Sequence, residues 1–138
     1  MGVYDHILVP IEGTGTDTPV LEHVAALAAV CGSSVTLLRV AHYHTRDERG
    51  HEVEEAEGDL ARAAELLRSR GIPVTTLLLS GEPQQVIVQQ AAELRPDLIA
   101  MATHGHKWAK RIVLGSVADH LRHNSDVPLL LLKGGPGS

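Results

Sequence analysis

The sequence is poor in aromatic residues: it has no phenylalanine, two tyrosines and one tryptophan. Its core must therefore be built from valine, isoleucine, leucine and alanine, since hydrophobic residues still make up 43% of the chain. Such side chains are typical of strands that are covered on both faces by helices. A chain of 138 residues is expected to form one domain, here 1–138, with a core at about 4–133 and a flexible tail at 134–138.

Disulfides, membrane-spanning segments and a basic surface are also missing from the sequence. Cys31 is the only cysteine, which excludes an intrachain disulfide and favours a reducing compartment. No apolar run approaches the roughly 20 residues that cross a bilayer, and the first residues, MGVYDHILVP, lack the pattern of a signal peptide. The formal net charge of −5 argues against binding to nucleic acid or anionic membranes. We therefore expect a cytoplasmic protein with no nucleic-acid partner and no membrane partner.

Short apolar segments alternate with helical patterns along the chain. Turn or cap residues bound the apolar segments, which are mostly continuous in hydrophobicity, as in buried parallel strands. They are 4–11, 34–40, 73–79, 97–102 and 127–133. This alternation predicts an α/β fold, in which an open five-stranded parallel sheet with right-handed crossovers carries helices on both faces.

The helices between these strands are predicted from capping residues and periodicity. Thr18 is predicted as the N-cap of the first helix, and Gly32 as its end. The second helix is predicted at 51–71 from an apolar face, and the polar segment 42–58 is predicted to be a loop that runs into it. The last helix is predicted to begin at Ser116.

Ligands of such sheets bind at the carboxyl ends of the strands, where the strand order reverses. The most specific pattern there is the segment after the fourth strand, ATHGHKWAKRIVLGS, at 102–116. Gly105 and Gly115 would let the backbone approach a phosphate closely. Ser116 would add a hydroxyl to the amides at the start of a helix, where the dipole attracts anions. A solvated loop followed by an N-cap serine would show the same pattern.

Other kinds of site are less well supported. GTGTDT after the first strand is half of a dinucleotide fingerprint, but Thr18 replaces the third glycine and no acid ends the second strand. The sequence has no P-loop and no G-x-S-x-G nucleophile motif. Of the nine histidines, His104 and His106 alone form a pair in a credible place for a metal. No cysteine or close acid accompanies them, so no metal site is predicted.

The segments YDHILVPIEGT at the start and GEPQQVIVQQAAELRPDLIAMATHGHKWAKRIVLGSVADHLRHNSDVPLLLLK at the end resemble the universal stress protein family. The resemblance covers about 4–133. The ATP-binding branch of that family carries G-x2-G-x9-G-[S/T] after the fourth strand, and this sequence has Ala102-x2-Gly105-x9-Gly115-Ser116. The resemblance implies a Rossmann-like sheet of order 3-2-1-4-5 that binds ATP, with or without Mg²⁺, over the loops after strands 1 and 4.

The resemblance also assigns candidate nucleotide-binding residues. The end of strand 1 would line the adenosine, the backbone of Val40 would meet the adenine, the residues after strand 4 would flank the ribose and first phosphates, and the start of the last helix would hold the outer phosphates. The complete set is Pro10, Ile11, Glu12, Gly13, Thr14, Val40, Met101, Ala102, His104, Gly105, His106, Gly115, Ser116 and Val117. No catalytic residue is implied.

Two residues depart from the family's pattern, because Glu12 stands where aspartate is usual and Ala102 replaces the first glycine. Three functional hypotheses result. The chain is an ATP-binding regulatory switch of the stress response with slow or no hydrolysis, a nucleotide-free dimeric interaction module, or a slow ATPase that uses His104 or His106 as its base. The resemblance further implies a homodimer formed through the last strand, from Val127 to Lys133.

Overall fold

The computed structural model describes residues 3–13, 15, 17–42, 45–102 and 114–132, and of 114–116 it describes the backbone. The predicted tail at 134–138 lies outside these residues. Strands and helices alternate as predicted. Their bounds are β1 His6–Ile11, α1 Asp17–Cys31, β2 Ser34–Ala41, α2 Arg46–Arg68, β3 Val74–Ser80, α3 Pro83–Leu94, β4 Leu98–Ala102, α4 Leu114–Asn124 and β5 Leu129–Leu132.

The strands form one sheet in the order β3-β2-β1-β4-β5, and every pair of neighbours is parallel. The predicted order and the predicted parallel sheet are confirmed. The chain moves outward in one direction from β1 to β2 and β3, and in the other from β1 to β4 and β5. The strand order therefore reverses between β1 and β4, which is where sheets of this type bind their ligands.

Each face of the sheet has its own apolar cluster, so the predicted helices on both faces are also confirmed. Residues of α1 and α2 pack against Ile7, Val9 and Leu37 on one face. Residues of α3 and α4 pack against Leu8, Leu38 and other residues of β2 and β4 on the opposite face. Alternate residues of a strand point to opposite faces, which is why neighbours such as Leu37 and Leu38 belong to different clusters.

Three helices begin earlier than predicted. The prediction of a loop at 42–58 is wrong from Arg46 onward, because α2 begins there, with Thr45 as its N-cap. The Thr45 hydroxyl accepts a hydrogen bond from the Glu48 amide at 3.2 Å, as N-cap side chains do. The acids of the first turn are stabilised by the positive end of the helix dipole. α1 begins at Asp17 rather than after Thr18, and α4 begins two residues before Ser116.

β5 lies at one edge of the sheet and β3 at the other. The leucines of β5 are incompletely buried, and Leu131 is 41% exposed. In the described part of the chain, no helix has both the length and the apolar character that crossing a membrane requires.

Candidate functional site

The crevice between β1 and β4 is the first feature of the candidate site. β1 pairs with β2 from His6 to Ile11, whereas its bridges to β4 are Ile7–Leu98 and Leu8–Ile99. The last residues of β1 and β4 are thus not bridged to each other, and Pro10 has no amide hydrogen to offer to a neighbouring strand. The sheet is open at its carboxyl end at the point where the strand order reverses.

The end of β2 borders the same space. The last β1–β2 pair is Ile11–Arg39, but β2 continues to Ala41 and pairs there with β3. Val40 therefore extends past the end of β1, with its side chain 2% exposed.

Three of the candidate residues come from different elements and are packed in one cluster. Val40 of β2, Met101 of β4 and Val117 of α4 all belong to the apolar cluster on the α3/α4 face. Val117 lies in the first turn of α4, so its burial in this cluster brings the start of α4 to the carboxyl ends of β2 and β4. Pro10 and Ile11 are buried at the end of β1, where Ile11 packs into the cluster on the other face.

The turn from β1 to α1 is held by a side chain of α1. Asp17 Oδ1 accepts a hydrogen bond from the Glu12 amide at 3.1 Å, and Asp17 Oδ2 accepts one from the Gly13 amide at 2.7 Å. Gly13 adopts φ +86°, which other residues rarely do. Glu12, which the family resemblance would place on the adenosine side, is 3% exposed.

The carboxyl group of Asp17 is in an unfavourable place for a negative charge. Burial raises its pKa from 3.8 to about 6, although the hydrogen bonds from the Glu12 and Gly13 amides act in the opposite direction. The neighbouring carboxylates of Glu12 and Asp59 raise the pKa further. Asp17 therefore changes its charge close to physiological pH.

A buried ion pair lies behind this turn. The Arg39 guanidinium, on the α1/α2 face of β2, donates through Nε to Asp59 Oδ2 at 3.2 Å and lies 3.5 Å from Glu52. Arg62, one helical turn after Asp59, also pairs with it. The side chains of Arg39 and Asp59 are 2% and 3% exposed. Arg39 also donates from Nη1 to the Val40 carbonyl at 2.7 Å, which connects the pair to the candidate adenine contact.

The family model of universal stress proteins matches residues 3–133. The chain belongs to the universal stress protein family.

Individual relatives agree with this assignment. Universal stress protein MJ0531 of Methanocaldococcus jannaschii is 27% identical over 141 residues, which cover 95% of this chain and 83% of that protein. The solved structure of MJ0577, from the same organism, matches with a TM-score of 0.79 at 28% identity, covering 98% of this chain and 99% of that one. A universal stress protein from Archaeoglobus fulgidus, solved in complex with dAMP, matches with a TM-score of 0.73 at 25% identity, covering 95% and 99%.

Several of the candidate nucleotide-binding residues lie outside the described residues. They are Thr14, His104, Gly105 and His106. Gly115 and Ser116 lie in the first turn of α4, where the backbone amides and the helix dipole favour an anion. The roles of all the candidate nucleotide-binding residues remain predictions.

Sequence reasoning missed Asp17, Arg39 and Asp59. Each of them carried a readable signal. Arg39 is a lone charge inside an apolar strand, and Asp59 lies beside Leu60 on the apolar side of the second helix. Charged residues are almost never buried unless they are paired, so each of these positions predicts a partner. Asp17 carried the signal of an acid at the start of a helix.

The described residues offer polar groups for a ligand rather than a metal centre. Among them, no three His, Cys, Asp or Glu side chains lie close enough to hold a metal ion. A cleft of about 320 Å³ between α1 and α2 is bordered by Gly13, Asp17, Asp59 and Arg62. Glu12 supplies a buried carboxylate after β1, and the first turn of α4 supplies backbone amides and the positive end of a helix dipole.

Proposed function

We propose that this universal stress protein binds an adenine nucleotide, with ATP as the main ligand, in the crevice between β1 and β4. It would act as a nucleotide-dependent regulatory switch in the cytoplasmic stress response, with slow or no hydrolysis. The observation that carries the proposal is the packing of Val40, Met101 and Val117, from β2, β4 and α4, in one cluster beside the open end of the sheet. The dAMP complex of the Archaeoglobus fulgidus relative supports the choice of an adenine nucleotide.

The two departures from the family's pattern are compatible with binding. Ala102 is the last residue of β4. It does not have a positive φ, since among the described non-glycine residues that conformation is adopted by Arg95. A methyl group at 102 therefore causes no backbone strain. Glu12 is one methylene longer than aspartate, and its backbone is fixed by Asp17. A carboxylate at this position would accept a hydrogen bond from a ribose hydroxyl.

Two alternatives remain open. Glu12 and Ala102 motivate the first, in which the protein is a nucleotide-free interaction module. His104 and His106 motivate the second, in which one of them acts as the base of a slow ATPase. The ATPase would lose phosphate release but keep nucleotide binding when the histidine is replaced by alanine.

A homodimer through β5 accompanies the proposal. β5 is an edge strand with partly exposed leucines, and an exposed apolar edge needs to be paired or covered. Pairing of β5 with its copy in a second chain would cover this edge.

Calorimetric titration of nucleotide-stripped protein with Mg-ATP and with AMP tests the proposed function. We expect micromolar binding that Gly115→Val weakens at least about tenfold, because a branched side chain in the first turn of α4 would keep phosphate away from the amides. Gly50→Val is the matched control, since Gly50 is a helical glycine in open space on α2, on the opposite face of the sheet. Trp108 fluorescence checks the same samples.

The outcomes separate the hypotheses. Binding that is lost in Gly115→Val but kept in Gly50→Val supports the nucleotide site. No heat and no fluorescence change at millimolar nucleotide would favour the interaction module. Binding accompanied by steady phosphate release that His104→Ala or His106→Ala abolishes would favour the ATPase.

A further inference from the structure

Asp17 uses both oxygens of its carboxylate to hold the turn between β1 and α1. The Glu12 amide donates to Oδ1 and the Gly13 amide to Oδ2, at 3.1 and 2.7 Å. These are the two residues that follow the last residue of β1. The direction in which the Glu12 side chain leaves the backbone therefore depends on Asp17.

The opposite side of the turn is fixed by α2. A Cβ atom on Gly13 would overlap the Asp59 carboxylate, so the Gly13 backbone lies directly against that side chain. Asp59 is itself held by the buried guanidinium of Arg39. The turn is thus confined between a hydrogen-bond acceptor from α1 and a buried ion pair from β2 and α2.

The surroundings of Asp17 disfavour its charge on balance, although the two amides and its place in the first turn of α1 favour it. Among the described residues, the negative groups near Asp17 are the carboxylates of Glu12, after β1, and Asp59, on α2. Arg62 of α2 and Arg39 of β2 are the positive groups, and both pair with Asp59. The nearest groups are thus negative, and both arginines are engaged by Asp59. Burial raises the pKa of Asp17 to about 6, which means that the folded protein disfavours the ionised form. Groups that are retained at a cost in stability are frequently those that a ligand site requires.

We propose that Asp17 is a positioning residue for nucleotide binding, which fixes the backbone of Glu12 and Gly13 and thereby sets the direction in which Glu12 is presented to the nucleoside. The inference rests on the proposed nucleotide binding. Asp17 touches no ligand atom in this proposal and acts through the turn alone.

The proposal has a consequence for the pH dependence of binding. An ionised carboxylate accepts both amides, whereas a protonated one has an O–H on one oxygen and loses acceptor strength there. Below about pH 6 the turn would lose one of its two hydrogen bonds. An asparagine has one acceptor oxygen and an NH₂ group, so Asp17→Asn imitates the protonated form at every pH.

The test is titration of wild type and Asp17→Asn with AMP from pH 5 to pH 8. The second ionisation of AMP affects both proteins equally and cancels in the ratio of their dissociation constants. We expect the dissociation constant of Asp17→Asn, divided by that of the wild type, to be near one at pH 5. At pH 8 this ratio should be between about three and ten, since the turn of the wild type then makes one more net hydrogen bond. Asp47→Asn is the matched control, because Asp47 is an exposed acid in the first turn of α2, and its ratio should stay near one.

The possible results are distinct. A ratio that rises with pH in Asp17→Asn, with a midpoint near 6, supports the positioning role. A ratio that is constant with pH, or that Asp47→Asn reproduces, overturns it while leaving nucleotide binding intact, since a merely structural change would weaken binding equally at each pH. Absence of binding by the wild type at every pH, with Mg-ATP as well as with AMP, overturns the proposed function and, with it, this inference.

Discussion

Replacement of Gly13 by alanine tests how closely the β1–α1 turn is held against α2. Gly13 adopts φ +86°, and a Cβ atom there would overlap the Asp59 carboxylate. Asp59 cannot simply turn away, because it is bonded to the buried guanidinium of Arg39. The substitution therefore strains the backbone and displaces one member of a buried ion pair.

The two effects can be given magnitudes. A non-glycine residue with left-handed backbone angles costs about 1–2 kcal/mol. Breaking a buried ion pair costs about 3–5 kcal/mol, since the remaining charge is left uncompensated. We expect Gly13→Ala to lower the free energy of unfolding by about 4–7 kcal/mol, which is a large part of the roughly 5–15 kcal/mol of an ordinary domain.

Urea denaturation of matched variants separates the two effects. Gly71 also has a positive φ, +78°, but a Cβ atom there meets nothing within 4 Å. Gly71→Ala should therefore cost only about 1–2 kcal/mol. In an Arg39→Met/Asp59→Ala background Gly13→Ala has no carboxylate to displace, so its cost should fall to that of Gly71→Ala.

Equal costs for Gly13→Ala and Gly71→Ala in the otherwise unchanged protein would refute this reasoning. The turn would then move away from α2 without penalty, and Asp59 would not confine it. The same result would remove one of the two contacts on which the positioning role of Asp17 depends.

Two further predictions concern pH and association. The pKa of Asp17 is about 6 in the folded protein and 3.8 unfolded. Its contribution to stability is therefore complete below about pH 4 and lost as the pH rises through 6. Relative to Asp17→Asn, the wild type should lose about 2.5 kcal/mol between pH 4 and pH 7 in chemical denaturation, and parallel curves would contradict this. On β5, Leu131→Glu should weaken the proposed dimer at least about a hundredfold in sedimentation, because it buries a carboxylate. Thr75→Glu, on the β3 edge of the sheet, should leave the dissociation constant of the dimer unchanged. A dimer that is equally stable with Leu131→Glu would exclude the β5 interface.

The strands and most helix ends could be predicted from sequence because local chemistry determines them. Continuous apolar runs marked the strands, and Gly32 and Gly71 marked helix ends, where the structure gives them φ +70° and +78°. Pro83 begins α3, at a position that needs no amide donor. The order of the strands came instead from the family resemblance, since the alternation of elements does not determine which strands are neighbours.

The start of α2 could not be predicted from hydrophobic periodicity, because its first turns bury little. Residues 46–51 are exposed, and Ala56 is the first buried residue of the helix. Those turns are stabilised by the Thr45 cap and by acids near the helix start rather than by an apolar face. The pattern Thr45-x-x-Glu48 was the available signal, and it depends on local hydrogen bonds that hydropathy does not record.

The residues of the candidate site also differ in whether the sequence predicts their positions. Val40 and Met101 were assigned to one site by the family resemblance, and both lie near it because the carboxyl ends of parallel strands share one edge of the sheet. The pairing of Arg39 with Asp59 could not be predicted, because it depends on how far α2 is shifted along the sheet. A buried ion pair is weak evidence for stability, since apolar residues of similar volume often serve as well. The pair also lies directly behind Gly13, so the turn that carries Glu12 is held between Asp59 of α2 and Asp17 of α1.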